Sequence, residues 1–253
     1  HDTISGVERA IKKAEEFDNK IQVIPGMELS CKYTISSSQS VEIHMLGYRY
    51  DIHNKKLIAT LEDISNERDE RNRKMCSNLQ NAGFPISYDM LCERFGDTIL
   101  SRAHFSRLLL ENGGVPSLDY AFRTCLSSDS PYFVNREYLT PKDAIDLIRA
   151  SGGIPVLAHP LLYKLSVSQI RRLLDDLTSY GLCGIEAIYS RNRGTDEAFV
   201  RKLADEYHLF ITGGSDFHGA NKPDIHLGSG YGGLRVSALL LDNIKARLQQ
   251  KNS

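Results

Sequence analysis

Leu209-Phe210-Ile211-Thr212-Gly213-Gly214-Ser215-Asp216-Phe217-His218-Gly219 is the stretch on which the reading of the fold turns. Its first four residues form a brief, β-favouring apolar run closed by two glycines, which predicts a buried strand. Beyond the glycines an acid and an imidazole stand two residues apart, where an extended chain stops alternating and begins to turn. An Asp and a His so placed can aim at one point, and the pair is a common way to hold a divalent cation. Taken alone, the segment also fits a plain turn with a solvated Asp and an incidental His.

Other apolar runs in the chain end in the same way. Upstream, residues 195–207 read as a helix, preceded by a strand at Gly184-Ile185-Glu186-Ala187-Ile188-Tyr189. Ser166-Val167-Ser168-Gln169 is a capping box ahead of Ile170, Leu173, Leu174 and Leu177, with Gly181 past the helix end. Residues 154–158 predict a strand that stops at His159-Pro160. Thr140-Pro141-Lys142-Asp143 has the form of a helix start, with Thr as cap and Pro at the first helical position. Nearer the N-terminus, residues 4–18 predict an amphipathic helix. Residues 21–25 predict a strand ended by Gly26-Met27-Glu28. Ser36 to Ser40 is a polar turn, and Val41 to Tyr48 is a strand carrying His44 in its apolar core. Downstream of the opening stretch, a last strand is expected near 234–236 and a helix over 239–248.

Strand–helix alternation of this kind indicates an α/β chain with a parallel sheet, either a barrel or doubly wound. Neither GxGxxG nor GxxxxGK[ST] occurs, so dinucleotide and P-loop sites lack their key element. In a barrel, catalytic groups gather at the C-terminal ends of strands. Glu28, His159, Asp216 and His218 fall there on this reading, with His44 a little earlier in its strand. The alternation breaks once. Residues 55–83 predict a long charged helix with Leu57, Leu61, Ile64, Met75 and Leu79 buried, and short helical pieces follow to about 127. Its mixed charges at 67–74 suit a solvated helix face. The segment from 55 to 135 therefore reads as a helical subdomain inserted into a domain made of 1–54 and 136–253.

The bulk numbers narrow the function classes. With 253 residues, 41% hydrophobic and 25% charged, the chain is an ordinary globular protein. No uncharged apolar stretch approaches about 18 residues, so no membrane-spanning helix is expected. The five cysteines form no CxxC and read as reduced thiols of a cytoplasmic protein. A net charge of −1 offers no global field for long duplex nucleic acid.

Taken together, His1-Asp2-Thr3, Gly26-Met27-Glu28, His44-Met45-Leu46-Gly47-Tyr48, Leu157-Ala158-His159-Pro160 and Ser215-Asp216-Phe217-His218-Gly219 resemble the PHP family, named for polymerase and histidinol phosphatase. Their order is most similar to its small stand-alone metal-dependent phosphoesterases, in which a helical insertion is common. The resemblance implies a distorted (β/α)7 TIM-like barrel with two or three divalent metals at its C-terminal face. It implies that Glu28 bridges two metals, that His44 and His159 complete one site with Glu28, and that Asp216 ligates the other bridged metal. It also implies that His1 and His218 share a third. Glu28, Asp216 and His159 are the implied catalytic residues. Mixed imidazole and carboxylate ligands suit Mn, Fe or Zn better than Ca or Mg. The family begins with a strand carrying His-x-His and a following Asp. This sequence starts downstream of them, and the expectation is a fragment of a longer protein.

Arg102 and His104, in Ser101-Arg102-Ala103-His104-Phe105, resemble an Arg-x-His element of the subgroup and are candidate phosphate contacts. Arg191 and Arg193 follow the 184–189 strand and are further candidates for substrate charge. Lys222 and His226 are expected to be loop residues, His53 and His208 ordinary surface or packing residues, and Glu186 fits no metal motif. The resemblance implies a phosphoesterase acting on a small phosphorylated substrate. The leading class is a nucleotide such as a 3′,5′-bisphosphate, or the 5′ end of a short single-stranded oligonucleotide. A histidinol-phosphate-type or sugar-phosphate phosphatase, and a degenerate domain serving as a metal-stabilised binding module, are its rivals.

Overall fold

Met27, Leu29, Cys31, Tyr33 and Ile35 are buried in alternation, the period of a strand with one covered face. In the computed structural model they lie on β1 (Gly26–Ser36), which a tight turn at Ser37 and Ser38 returns as β2 (Gln39–Tyr48). Residues 1–17, 20–96, 99–219, 222–242 and 244 are described. Among them the sheet has the order β1-β2-β3-β4-β5, with β3 at Ile154–Leu157, β4 at Gly184–Tyr189 and β5 at Phe210–Gly214.

The sheet is mixed, not wholly parallel as the alternation suggested. β2 runs antiparallel to both β1 and β3, whereas β3, β4 and β5 are parallel. The physical reason is the two-residue turn: a hairpin reverses the chain, whereas parallel neighbours need a long crossover. Those crossovers are α7 (Val167–Tyr180) and α8 (Asp196–Glu206), which join β3 to β4 and β4 to β5. Both helices start and stop as their sequences predict. Ser166 and Gln169 close a reciprocal capping box on α7, and Gly181 ends it at φ 100°.

Three further expectations are corrected. Residues 21–25 are not a strand; Ile21 is half exposed, and pairing begins only after Pro25, whose ring carries no N–H for a ladder. Glu28 therefore stands near the start of β1, not at the end of an earlier strand. Residues 234–236 form no strand, and Leu234 instead donates its N–H to Ser229 within a loop. The helix expected over 239–248 shows one turn at 240–242, and most of the rest lies outside the described residues.

The chain divides into two compact units, His1–Ala59 with Tyr138–Ser253, and Thr60–Glu137. In the first, β3 and β4 are buried along their whole length, as parallel strands covered on both faces must be. Ile145 and Ile148 of α6 (Pro141–Ala150), Leu173 and Leu177 of α7, and Val200 and Leu203 of α8 complete its core. The second unit is helical. α2 (Lys55–Asn81) leads into it and is followed by α3 (Tyr88–Phe95), α4 (Arg102–Glu111) and α5 (Leu118–Tyr120), the last running into a π turn at Ala121–Cys125. Met75, Leu79, Leu91, Phe105 and Leu109 pack there as a separate core.

Candidate metal centre

Sheet register brings the first ligands together. Ser30 pairs with His44 and Glu28 with Leu46, so Glu28 and His44 are diagonal neighbours on one face of the hairpin. The Glu28 carboxylate meets His44 Nδ1 at 2.9 Å through Oε1. β3 contributes next. Leu157 pairs with Met45, Ala158 donates its N–H to His44 O, and the chain then turns at His159 with φ 21°. That turn buries the imidazole and sets His159 Nε2 at 3.1 Å from Glu28 Oε1 and 3.2 Å from His44 Nδ1.

His1 is delivered by Asp2, which is buried at φ 59°. Asp2 N donates to Glu28 O at 2.8 Å, while its carboxylate accepts from Ser30 N at 2.7 Å and Ser30 Oγ at 3.0 Å. So fastened along β1, the chain places His1 Nε2 at 3.3 Å from Glu28 Oε2. Glu28 thus presents Oε1 to two imidazoles and Oε2 to a third, and one ion can be reached at once by His1, Glu28 and His44.

This donor set fits a divalent metal. Two ring nitrogens face each other across 3.2 Å while both face the same carboxylate oxygen. A single proton can bridge only one such contact, whereas a cation accepts lone pairs from all of them. Among the described residues His159 Nδ1 is also buried with no hydrogen-bond partner, which leaves Nε2 as the nitrogen that meets the other donors. Burial alone would raise the Glu28 carboxyl, but hydrogen bonds and charge from His159 and His44 hold it well below the usual carboxylate range. Burial would lower His44, yet Glu28 and Glu42 raise it to about 9.

The end of β5 is built differently. Asp216, at φ 55°, accepts Tyr189 Oη–H at 2.9 Å and the Lys222 ammonium at 3.0 Å on Oδ2. His218 Nδ1 lies 2.8 Å from the Asp216 carbonyl oxygen and 3.3 Å from Oδ1. The His218 ring centroid is 5.9 Å from that of His1, so His1 stands between the two groups. Positive φ at a residue other than glycine is costly, and Asp2, His159 and Asp216 all adopt it here.

Several residues that the sequence left aside belong to this region. Glu186 is buried, and its Oε2 accepts His159 N–H at 2.9 Å. Burial, opposed by that hydrogen bond and aided by the charges of Glu28 and Asp216, pushes its carboxyl up to about 8. Tyr163 joins β2 to the β3 turn: its hydroxyl accepts His44 N–H at 2.9 Å and donates to Ala158 O at 2.7 Å. Lys222, expected as a solvated loop residue, is instead half-buried on Asp216. A lysine six residues after an acid carries no periodic signal, and a tyrosine in an apolar run reads as core, so pattern alone finds neither.

The remaining candidates lie on other elements. Arg102 and His104 belong to the helical unit. His104 Nδ1 accepts Ser101 N–H at 2.9 Å and closes the α4 cap, and Arg102 reaches Leu126 O at 3.4 Å. Burial and the charge of Arg107 lower the His104 imidazole. Arg191 and Arg193 are exposed after β4, and the Arg193 guanidinium lies 5.8 Å from the centre of the Tyr231 ring. His53, His208 and His226 are exposed, as expected.

The chain is similar to known phosphoesterases across most of its length. It is 31% identical over 218 residues to a 5′-3′ exoribonuclease of Haemophilus influenzae, covering 86% of this chain and 77% of that one. Over 221 residues it is 31% identical to a 3′,5′-nucleoside bisphosphate phosphatase of Chromobacterium violaceum, with 86% and 74% covered. A crystal structure from Bifidobacterium adolescentis, described as a metal-dependent phosphoesterase, superposes with a TM-score of 0.78 at 26% identity, over 98% of this chain and 83% of that one. No family model matches the chain.

Proposed function

The chain belongs to the PHP family of metal-dependent phosphoesterases, and we propose that it hydrolyses a phosphate ester of a nucleotide. The substrate is a nucleoside 3′,5′-bisphosphate or the 5′ end of a short single-stranded oligonucleotide. The observation that carries this reading is the convergence of His1, His44 and His159 on the two oxygens of Glu28. The two relatives, matched over 77% and 74% of their own lengths, act, by their names, on RNA and on a nucleoside bisphosphate. We further take the mixed sheet as part of a distorted (β/α)7 barrel, with the site at the C-terminal ends of β3, β4 and β5.

Glu28, His44 and His159 would hold one divalent metal. Asp216, sharing Glu28, would hold a second, and His1 and His218 a third; Mn, Fe or Zn suits this donor set. When bound, such metals lower the pKa of water and clamp the attacking and leaving oxygens of a phosphoryl group. The chain's own residues do the rest. Tyr189 and Lys222 fix the Asp216 carboxylate, Asp2 fixes His1, and Glu186 fixes the turn that presents His159. Lys222 also brings an ammonium to the side of the site where phosphoryl charge is held. Arg102 and His104 would contribute phosphate or leaving-group contacts. Among the described residues no helix is long and apolar enough to cross a membrane, and the free cysteines suit a reducing compartment such as the cytoplasm.

The test is release of inorganic phosphate from adenosine 3′,5′-bisphosphate and from a 5′-phosphorylated trinucleotide, with Mn2+ and with chelator. Metal-dependent release from either supports the reading. Release from histidinol phosphate alone, or from no phosphate ester while metal is bound, overturns it.

A further inference from the structure

Glu42 stands on β2 two residues before His44, so the two side chains share one face of the hairpin. On β1 the cross-strand neighbour of Glu42 is Lys32, as that of His44 is Ser30. The His44 ring is thereby placed between two carboxylates. Its Nδ1 lies 2.9 Å from Glu28 Oε1, and its Nε2 lies 3.5 Å from Glu42 Oε1. The Glu42 side chain is 41% exposed, and a carboxylate so placed is by itself an ordinary surface pair.

An anchor sets this pair apart. Tyr138 Oη–H donates to Glu42 Oε2 at 3.0 Å, which turns Oε1 toward the imidazole. Tyr138 is fixed in its turn through the residue beside it. Leu139 bridges Cys31 in parallel, and Lys32 N–H donates to Leu139 O at 3.0 Å. The segment carrying the phenol is therefore docked along β1, and the phenol reaches across that strand to β2. Tyr138, Glu42, His44 and Glu28 form one line of polar contacts that enters the candidate metal centre from outside.

A neutral imidazole carries one donor nitrogen and one acceptor nitrogen, and the group held by one settles the role of the other. An ionised carboxylate only accepts, so Glu42 favours the proton on Nε2 and leaves the Nδ1 lone pair on the side of Glu28 and of His159 Nε2, 3.2 Å away. The opposite tautomer would place an Nδ1 proton where a cation has to sit.

We infer that Glu42 is a positioning residue for the metal centre: held by Tyr138, it fixes His44 in the tautomer that offers Nδ1 to a divalent cation. The inference rests on the proposed metal centre and deepens it by naming a residue outside the ligand set. An acceptor on the far nitrogen orients a ligating ring and strengthens it as a donor, and losing such a partner costs roughly 10- to 100-fold in metal affinity.

The test is calorimetric titration of Mn2+ into chelator-treated protein. Glu42→Ala is expected to weaken the tightest site roughly 10- to 100-fold. Glu42→Gln keeps an oxygen acceptor without the charge and is expected to fall between; a loss as large as that of Glu42→Ala would show a bare charge effect and overturn the positioning role. Tyr138→Phe is expected to weaken the site a few-fold, and adding it to Glu42→Ala should cost nothing more, because the phenol acts through the carboxylate. Unchanged affinity in Glu42→Ala, or losses that add, overturns the inference. Since Glu42 is exposed, metal-free Glu42→Ala should melt near wild type, and loss of folding would reassign the residue to structure. Nitrogen-15 NMR of the Zn2+-loaded chain gives a readout independent of affinity: His44 should carry its proton on Nε2 and the ion on Nδ1, and the reverse overturns the inference. Wild type that takes up neither Mn2+ nor Zn2+ would sink the metal centre and the inference together. Uptake without phosphate release would sink the phosphoesterase function alone and leave the titration to decide Glu42.

Discussion

The hairpin side and the β5 side of the site handle a carboxylate in opposite ways. Glu28 meets His1, His44 and His159, whose nitrogens also crowd one another, with ring centroids of His1 and His44 4.4 Å apart. Asp216 instead meets a phenol and an ammonium on one oxygen and a single imidazole, that of His218 at 3.3 Å, on the other. The first arrangement gathers three imidazoles on one carboxylate by sheet register, a donor set that an added cation would draw together. The second already has a protein cation, so its carboxylate is oriented and partly neutralised without one. In the proposed metal centre the two carboxylates would differ in dependence on metal, Glu28 organising the centre and Asp216 being tuned within it.

The strongest way to break that comparison is at Glu28. Glu28→Gln should lower phosphate release by about 10³-fold or more, since it removes the charge common to all three imidazoles. Activity within tenfold of wild type would contradict the role given to it. Asp216→Asn should cost about 10²-fold and leave the melting temperature nearly as it is, because the side chain makes polar contacts and no core packing. A large loss of folding, with activity per folded molecule retained, would reassign Asp216 to structure. Tyr189→Phe sharpens the β5 side alone. Losing one orienting hydrogen bond should lower kcat/KM by about tenfold, the scale of outer-shell changes at metal sites. A change in melting temperature with full activity would show that the hydroxyl only packs.

The smallest expected effect on chemistry comes from Gly47→Ala on β2. A Cβ there would lie 2.8 Å from Met27 Cε and 3.1 Å from Ile148 Cγ1, so the hairpin should lose about 1–3 kcal/mol of stability to overpacking. Chemical denaturation reads that loss, and phosphate release per folded molecule should stay near wild type.

What the sequence made legible was local. The α7 capping box, the Thr140 cap of α6 and the β4 strand follow from patterns a few residues long, and the structure has them where those patterns lie. The strand-end position of His159 and the placement of Asp216 after β5 were equally plain. Direction and partnership were not. The reversal of β2 depends on a two-residue turn, whereas Met27, Leu29, Cys31, Tyr33 and Ile35 alternate with polar residues in a plain strand pattern that places Glu28 on β1 and not after residues 21–25. Glu186, Tyr163 and Lys222 carry no signal of their own, because each acts through a group distant in sequence.

The most direct measurement is calorimetric titration of Mn2+ into chelator-treated wild type, Glu28→Gln and Asp216→Asn. Glu28→Gln should lose the tightest site, and Asp216→Asn should keep that site while weakening or losing another. If Asp216→Asn abolishes the tightest site and Glu28→Gln retains it, the hairpin does not organise the metal centre.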